Sequence, residues 1–348
     1  MKNEKFDTKM TVHSAIYQAH ISKQERTPLL RVVPLSTPYT VLFEVSRLCN
    51  LKCIFCPQSN RDQFRFFDAN LLDFDSFKKA VRQLTIFPPR IKKVYMHGTG
   101  ESTLNPQLPQ MIRYLRDQNV TDTIDLTTNG LLLSEQLGQA LVCAGLNHLH
   151  ISVEALSSQD YQNITGRKID FDEFVHNIQV FSALRENCRL TIKIADISVQ
   201  TQAAKDLFFE IFSPICDEIF IENIYPIWPA YGQGTKLHQK QHEEIGQYGQ
   251  PVTDKMVCPQ IFSQLAIKCD GSVSPCSVDW NNENVLGNIH QTNLFEMWNG
   301  EILKEIRLKH LKNGRDSMMP CKQCGLPKYS CFDNLDEFKQ DLIEKFER

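Results

Sequence analysis

Cys49-Leu-Asn-Leu-Cys53-Ile-Phe-Cys56 places three thiols in one short loop. Three thiolates can hold three corners of a cubane [4Fe-4S] cluster and leave the fourth iron without a protein ligand. An open iron beside a pocket can bind a second molecule and pass it an electron. A structural zinc site is instead closed by four ligands, usually arranged as C-x2-4-C pairs. Neither a fourth Cys nor a His lies near this loop, so its spacing points to one-electron chemistry.

The chain holds twelve cysteines in 348 residues. Its start, Met-Lys-Asn-Glu-Lys-Phe-Asp, lacks the apolar core of a secretory signal. No run of about 18 apolar residues marks a membrane span. A cytoplasmic, reducing location is therefore expected, and there clustered Cys more often means metal than disulfide. A net charge of −3 gives no chain-wide reason to expect nucleic acid or an acidic membrane as partner. Cys143, Cys188 and Cys216 are scattered among apolar or helical surroundings and read as core residues. Cys258, Cys269, Cys276, Cys321, Cys324 and Cys331 form a second group.

The elements that must position these groups alternate along the chain. Residues 1–37 read as an N-terminal extension with one short helix. Strands are expected at Tyr39–Val45, Val94–His97, Thr123–Thr127, His148–Val153, Leu190–Ile197 and Glu218–Glu222, from their β-branched and apolar composition. Between them, Phe77/Ala80/Val81/Leu84, Leu108/Met111/Ile112/Leu115, Leu137/Ala140/Leu141/Ala144 and Phe174/Ile178/Phe181 repeat at helical spacing, the last with Asp172 as N-cap. A further helix is expected around Asp206–Phe212. Regular βα alternation argues for a parallel sheet with helices outside it. The pattern leaves an open doubly wound sheet and an incomplete barrel equally admissible. Residues 232–257 read as a polar linker. Beyond it a hairpin, Ala266–Lys268 with Val273–Pro275, turns at Asp270-Gly271, and one helix runs from Leu294 to about Lys312.

C-x3-C-x2-C directly after the first strand resembles the signature of the radical S-adenosylmethionine (radical SAM) superfamily, and the resemblance extends over roughly residues 38–225, within a core domain expected at 38–231. It implies an α/β fold, a partial (β/α)6 barrel with its working residues at the C-terminal ends of strands. Phe55 matches the family's aromatic that lies against the adenine, or is a packing residue. Gly100-Glu101, in His97-Gly98-Thr99-Gly100-Glu101, resembles the Gly-Gly-Glu element that meets the methionine ammonium, with Thr99 shifting the glycine pair. Asn129, in Thr127-Thr128-Asn129-Gly130, resembles the pocket-shaping Thr-Asn-Gly turn. Ser152 and Glu154 resemble an Ile-Ser-Leu-Asp element that bonds the methionine carboxylate or ribose, with Glu for the usual Asp. Lys193 and Glu222 alternate into or out of the barrel, and facing inward they would meet cofactor or substrate.

Cys258-x12-Gly271-x4-Cys276, followed by Cys321-x2-Cys324, resembles the SPASM/twitch extension of that superfamily over most of residues 258–331, within a domain expected at 258–348. Full SPASM modules hold two auxiliary clusters on seven or eight cysteines, and six are available here. The twitch form fits: one auxiliary [4Fe-4S] cluster on Cys258, Cys276, Cys321 and Cys324. A zinc ribbon is the alternative for the same four residues. Cys331 is then a hydrogen-atom donor or a packed thiol, and Asp279 a proton-removing base or a turn residue.

The resemblance implies an enzyme that cleaves S-adenosylmethionine reductively, makes a 5′-deoxyadenosyl radical and abstracts hydrogen from a substrate. Fewer than 40 residues before the first strand argue for a small molecule such as a sugar, aminocyclitol or nucleotide derivative, oxidised or epimerised. A peptide-modifying enzyme, or an iron-sulfur or zinc protein without radical chemistry, are the alternatives. A flavodoxin or ferredoxin-type reductant is the expected partner, with no nucleic acid and no membrane.

Overall fold

The computed structural model describes residues 27–59, 71–227 and 244–348. Most of the expected N-terminal extension, and the expected linker up to residue 243, lie outside the described residues. Among those described, no helix is long and apolar enough to cross a membrane.

Six strands run β1 (Thr40–Phe43), β2 (Ile91–Met96), β3 (Thr121–Thr128), β4 (His148–Val153), β5 (Arg189–Ala195) and β6 (Glu218–Glu222). They pair in sequential order, every neighbour parallel. Between them lie α1 (Phe74–Leu84), α2 (Leu108–Gln118), α3 (Glu135–Cys143), α4 (Ser158–Thr165), α5 (Phe171–Leu184) and α6 (Gln202–Phe212). This is a partial (β/α)6 barrel.

Strand alternation divides the side chains. Val94, Met96, Ile124, Leu126, Leu149, Ile151, Ile192 and Ile194 turn outward into one core with Phe77, Met111, Leu115, Leu141, Ile178 and Phe208 from the helices. Burying each such side chain contributes about 1.5–3 kcal/mol. The opposite face, by the period-2 rule, carries Lys93, Asp125, His148, His150, Lys193 and Glu222. Its polarity marks it as the working face.

Several expectations need correction. Helix α5 starts two residues earlier than expected, because Asp170 rather than Asp172 caps it, its side chain accepting from the Glu173 N–H. Ser157 caps α4, a helix the periodicity missed. The hairpin is β7 (Gln264–Ile267) with β8 (Ser272–Ser274), and β7 pairs parallel with β1, so the C-terminal region extends the barrel's own sheet. A short β9 (Gly287–Asn288) completes the nine-stranded sheet seen among the described residues.

The single helix expected from Leu294 is two, α7 (Leu294–Asn299) and α8 (Glu301–Asn313), broken at Gly300 in extended conformation. The break resets the helical phase. Ile302 is 55% exposed, while Leu303, Arg307 and His310 turn in. Trp298 is fully buried, donates to the Leu35 carbonyl at 2.8 Å and carries the Arg307 guanidinium 4.2 Å above its ring. Leu29 and Val33 of the described N-terminal stretch pack with Val257, Phe262, Leu311 and Leu342, beneath α8 and the terminal helix. Two short helices, α9 (Leu326–Tyr329) and α10 (Lys339–Glu347), follow.

Candidate functional site

The loop after β1 is held by backbone bonds at both shoulders. Lys52 and Ile54 donate to the Thr165 and Ile164 carbonyls at 3.0 Å each, and Cys56 donates to the Cys53 carbonyl at 2.9 Å. Gln58, buried, donates its amide to the Arg47 and Thr99 carbonyls at 3.0 and 2.8 Å, clamping the loop to the end of β2. Cys53 is buried, and Cys49 and Cys56 are half-buried. Burial pushes the Cys53 thiol far above its ordinary range, helped by the charges of Glu154, Cys56 and Cys49. Three mutually repelling sulfurs in a dry site fit a cationic iron core, which relieves the cost of their deprotonation.

Gly100 is fixed by close approach. A Cβ there would stand 2.4 Å from the Leu48 carbonyl oxygen and 2.5 Å from that of Ser46, and Glu101 donates its N–H to Leu48 at 2.7 Å. The Glu101 carboxylate accepts from the Thr103 N–H (2.9 Å), Thr103 Oγ1 (2.6 Å), Thr128 Oγ1 (2.7 Å) and the Asn129 N–H (2.7 Å). Its oxygens tie the β2 loop to the β3 loop. Asn129 passes the tie on, donating to Asn50 Oδ1 at 2.7 Å. Gly130 takes φ +76° beside it, a left-handed turn position suited to glycine.

Glu44 and Arg47, which the sequence pattern did not single out, complete this frame. Arg47 donates to Glu44 at 2.7 Å with both side chains at most 4% exposed, and Thr99 Oγ1 donates to Glu44 at 2.8 Å. Burial alone would raise the Glu44 carboxyl, but Lys268 and Arg47 hold it below its ordinary value. The available signal was charge at the end of an apolar strand. Cys269 donates its thiol to the Glu44 carbonyl at 3.0 Å.

Across the barrel mouth, Ser152 of β4 registers opposite Lys193 of β5. Glu154 is buried, and burial raises its carboxyl to about 7 against the pull of Lys193, with Glu222 pushing further up and Cys53 hydrogen-bonded to it. Lys193 is paired with Glu222 at 2.5 Å. Glu222 also accepts from the Gln247 amide, whose Oε1 accepts from Ser330 Oγ at 2.6 Å. Gln247 belongs to the expected linker, and through it the described part of that segment reaches Glu222. Phe55 is half-buried within the cysteine loop.

In the C-terminal region, Cys258, Cys276, Cys321 and Cys324 converge on one apolar pocket with Ile261, Pro275 and Leu326. Burial pushes Cys276 up to about 12 and Cys321 up to about 11, Asp279 adding to both. Arg315 braces the pair, donating to the Cys321 and Cys324 carbonyls at 3.0 and 2.7 Å. Four thiols around one pocket fit a closed four-ligand centre, for which the carbonyl-bound arginine fixes two of the ligands. Cys331 lies beside Cys258 and accepts from the Gln260 amide at 3.5 Å. Asp279 accepts from Ser274 Oγ (3.3 Å) and from the Glu283 and Asn284 N–H groups (3.0 and 2.8 Å), which clamps the loop after Cys276.

Residues 43–194 match the profile of the radical SAM superfamily, and residues 258–325 that of the SPASM iron-sulfur cluster-binding domain. A probable GTP 3′,8-cyclase of Methanococcus maripaludis (strain C5) is 35% identical over 117 residues, 34% of this chain. The GTP 3′,8-cyclase of Chlorobaculum tepidum is 30% identical over 154 residues, 44% of this chain and 43% of that protein. The match to the first of these spans 37% of that relative's length. Among solved structures, BtrN in complex with AdoMet and 2-DOIA superposes with TM-score 0.52 at 18% identity, over 82% of this chain and 92% of that one. SuiB of Streptococcus suis bound to S-adenosylmethionine gives 0.55 at 16%, over 90% and 76%. These likenesses establish the fold.

Proposed function

We propose, on the premise that this chain belongs to the radical SAM superfamily and carries its SPASM-type iron-sulfur extension, that it oxidises or epimerises a small polar molecule such as a sugar or aminocyclitol. When bound at Cys49, Cys53 and Cys56, the cluster and S-adenosylmethionine supply a 5′-deoxyadenosyl radical that takes a hydrogen atom from a C–H bond. The chain's own residues do the rest. Backbone at Gly98–Gly100 lies close enough to the loop to meet an ammonium group. Glu101 and Asn129 hold that backbone, and Ser152 offers a hydroxyl toward a carboxylate or ribose.

One observation carries the substrate reading. The Lys193–Glu222 pair lies between the two cysteine sets, with Glu154 and Cys53 on one side and Gln247, Ser330 and Cys331 on the other. A charged, hydrogen-bonding pair beside Tyr248 suits a hydroxyl- or amine-bearing ring. Glu222 would accept a hydrogen bond from such a group, and Lys193 would donate one. Cys258, Cys276, Cys321 and Cys324 would hold a single auxiliary [4Fe-4S] cluster that takes the second electron of an oxidation. Cytoplasmic location and a flavodoxin or ferredoxin-type reductant belong to the same proposal.

A nucleotide substrate is the second reading, favoured by the GTP 3′,8-cyclases among the relatives. The test is anaerobic: reduced, reconstituted protein is given deuterated aminocyclitols, sugars or nucleotides, and deuterium is sought in 5′-deoxyadenosine. Transfer from a sugar or aminocyclitol supports the first reading. Transfer from nucleotides alone replaces it with the second.

A further inference from the structure

We propose that His97 is a substrate-binding residue of the barrel, accepting a hydrogen bond from a ring hydroxyl across from the Lys193–Glu222 pair, provided the substrate is the sugar or aminocyclitol of the proposed function. His97 directly follows β2, whose last pair, Met96 with Phe43 of β1, lies at the rim from which the cysteine loop leaves. Val94 and Met96 turn into the outer core, so Lys93, Tyr95 and His97 share the inner side. The Tyr95 and His97 rings meet edge to face at 5.3 Å, as neighbours two residues apart on one side can.

Pairing separates His97 from the other polar groups on this side. Lys93 donates to Asp125 at 3.0 Å, and His150 Nε2 stands 3.3 Å from the same carboxylate. His148 is joined to Thr191 at 2.7 Å, and Lys193 to Glu222 at 2.5 Å. Tyr248 is hydrogen-bonded to Ser330. Among the described residues, neither ring nitrogen of the half-buried His97 has a hydrogen-bond partner. A polar group turned into a desolvated interior is costly while unpaired. A bound hydroxyl supplies the partner.

Electrostatics set which partner fits. Burial, and next the Lys193 charge from β5, lower His97 to about 4 against the pull of Asp125. The ring is therefore neutral near pH 7 and offers one N–H and one lone pair. Lys193 donates and Glu222 accepts. A ring with hydroxyls on several carbons can meet all three groups at once, bridging β2 to β5 and β6. A molecule polar along a single edge reaches one side only.

The ring-deuterated sugars and aminocyclitols of the substrate test are given one at a time to reduced holoenzyme with S-adenosylmethionine. Deuterium in 5′-deoxyadenosine is followed against probe concentration. Iron content and the electron paramagnetic resonance (EPR) signal of the reduced clusters report that each variant is folded and loaded. His97→Leu, without polar side-chain atoms, should raise the half-saturating concentration about tenfold, the loss of one hydrogen bond. His97→Gln keeps an acceptor and a donor and should return it to within about threefold of the parent. The same order should appear in dissociation constants measured by calorimetry on the oxidised holoenzyme, where no turnover occurs. Equal half-saturation in the parent and a folded His97→Leu, equal rises in His97→Leu and His97→Gln, or a change confined to the maximal rate each overturn this proposal and leave the substrate class standing. No transfer from any probe in the parent overturns the substrate class, and this proposal with it.

Discussion

The two cysteine sets solve ligand placement in opposite ways. At the barrel, three sulfurs come from one short loop, pinned by backbone bonds to Thr165 and Ile164 and by the Gln58 side-chain amide to the Thr99 carbonyl. In the C-terminal region, four sulfurs come from three distant segments, gathered by a hairpin on β1, the Arg315 brace and the packing of α8. Short spacing leaves a corner unfilled and the set open. Long-range assembly brings four thiols to one pocket, enough to close a four-ligand centre. The open set can bind a small molecule, while the closed set is suited to passing electrons or to holding structure.

The sharpest way to break this contrast is to remove each set in turn. Alanine at Cys49, Cys53 and Cys56 should abolish 5′-deoxyadenosine formation while leaving about four irons per chain, the content of one cubane. Alanine at Cys321 and Cys324 should leave S-adenosylmethionine cleavage within a few-fold of the parent and abolish substrate turnover. Loss of cleavage in both would erase the division of labour.

A smaller effect is expected at the brace. Arg315→Ala removes the hydrogen bonds to Cys321 and Cys324, each worth about 0.5–1.5 kcal/mol or more for a charged donor. Iron in the C-terminal region should fall by about half on dilution into chelator, with barrel iron retained. Gly100→Ala tests the other side, since its Cβ must displace the Leu48 and Ser46 carbonyls. Overpacking of this kind costs about 1–3 kcal/mol, read as a lower denaturation midpoint with cleavage impaired. Cys331→Ser should be the mildest change, leaving the iron count as in the parent. A loss of about four irons would make Cys331 a ligand.

The contrast also explains what the sequence could reveal. Cys49, Cys53 and Cys56 could be grouped from the sequence because their spacing is local. That Cys258, Cys276, Cys321 and Cys324 would meet at one pocket could be expected only through resemblance, since spacing alone left zinc open. Strands β4 and β6 were bounded correctly because alternation and β-branching are local signals. Pairing of β7 with β1 was not, because it joins residues far apart in the chain. Gly300 was visible, yet the apolar repeat on both sides of it suggested one helix. Asp170 outcompeted Asp172 as cap because only its side chain reaches the Glu173 N–H. Lys193 and Glu222 could be placed on strands but not paired, since Lys193 registers with Phe220 and meets Glu222 diagonally.

The most direct test of an open set beside a closed one is EPR of the dithionite-reduced variants with and without S-adenosylmethionine. Protein lacking Cys321 and Cys324 keeps only the loop cluster, and its signal should shift on addition. Protein lacking Cys49, Cys53 and Cys56 keeps only the other cluster, and its signal should not move. A shift in the second variant, or none in the first, would contradict the account.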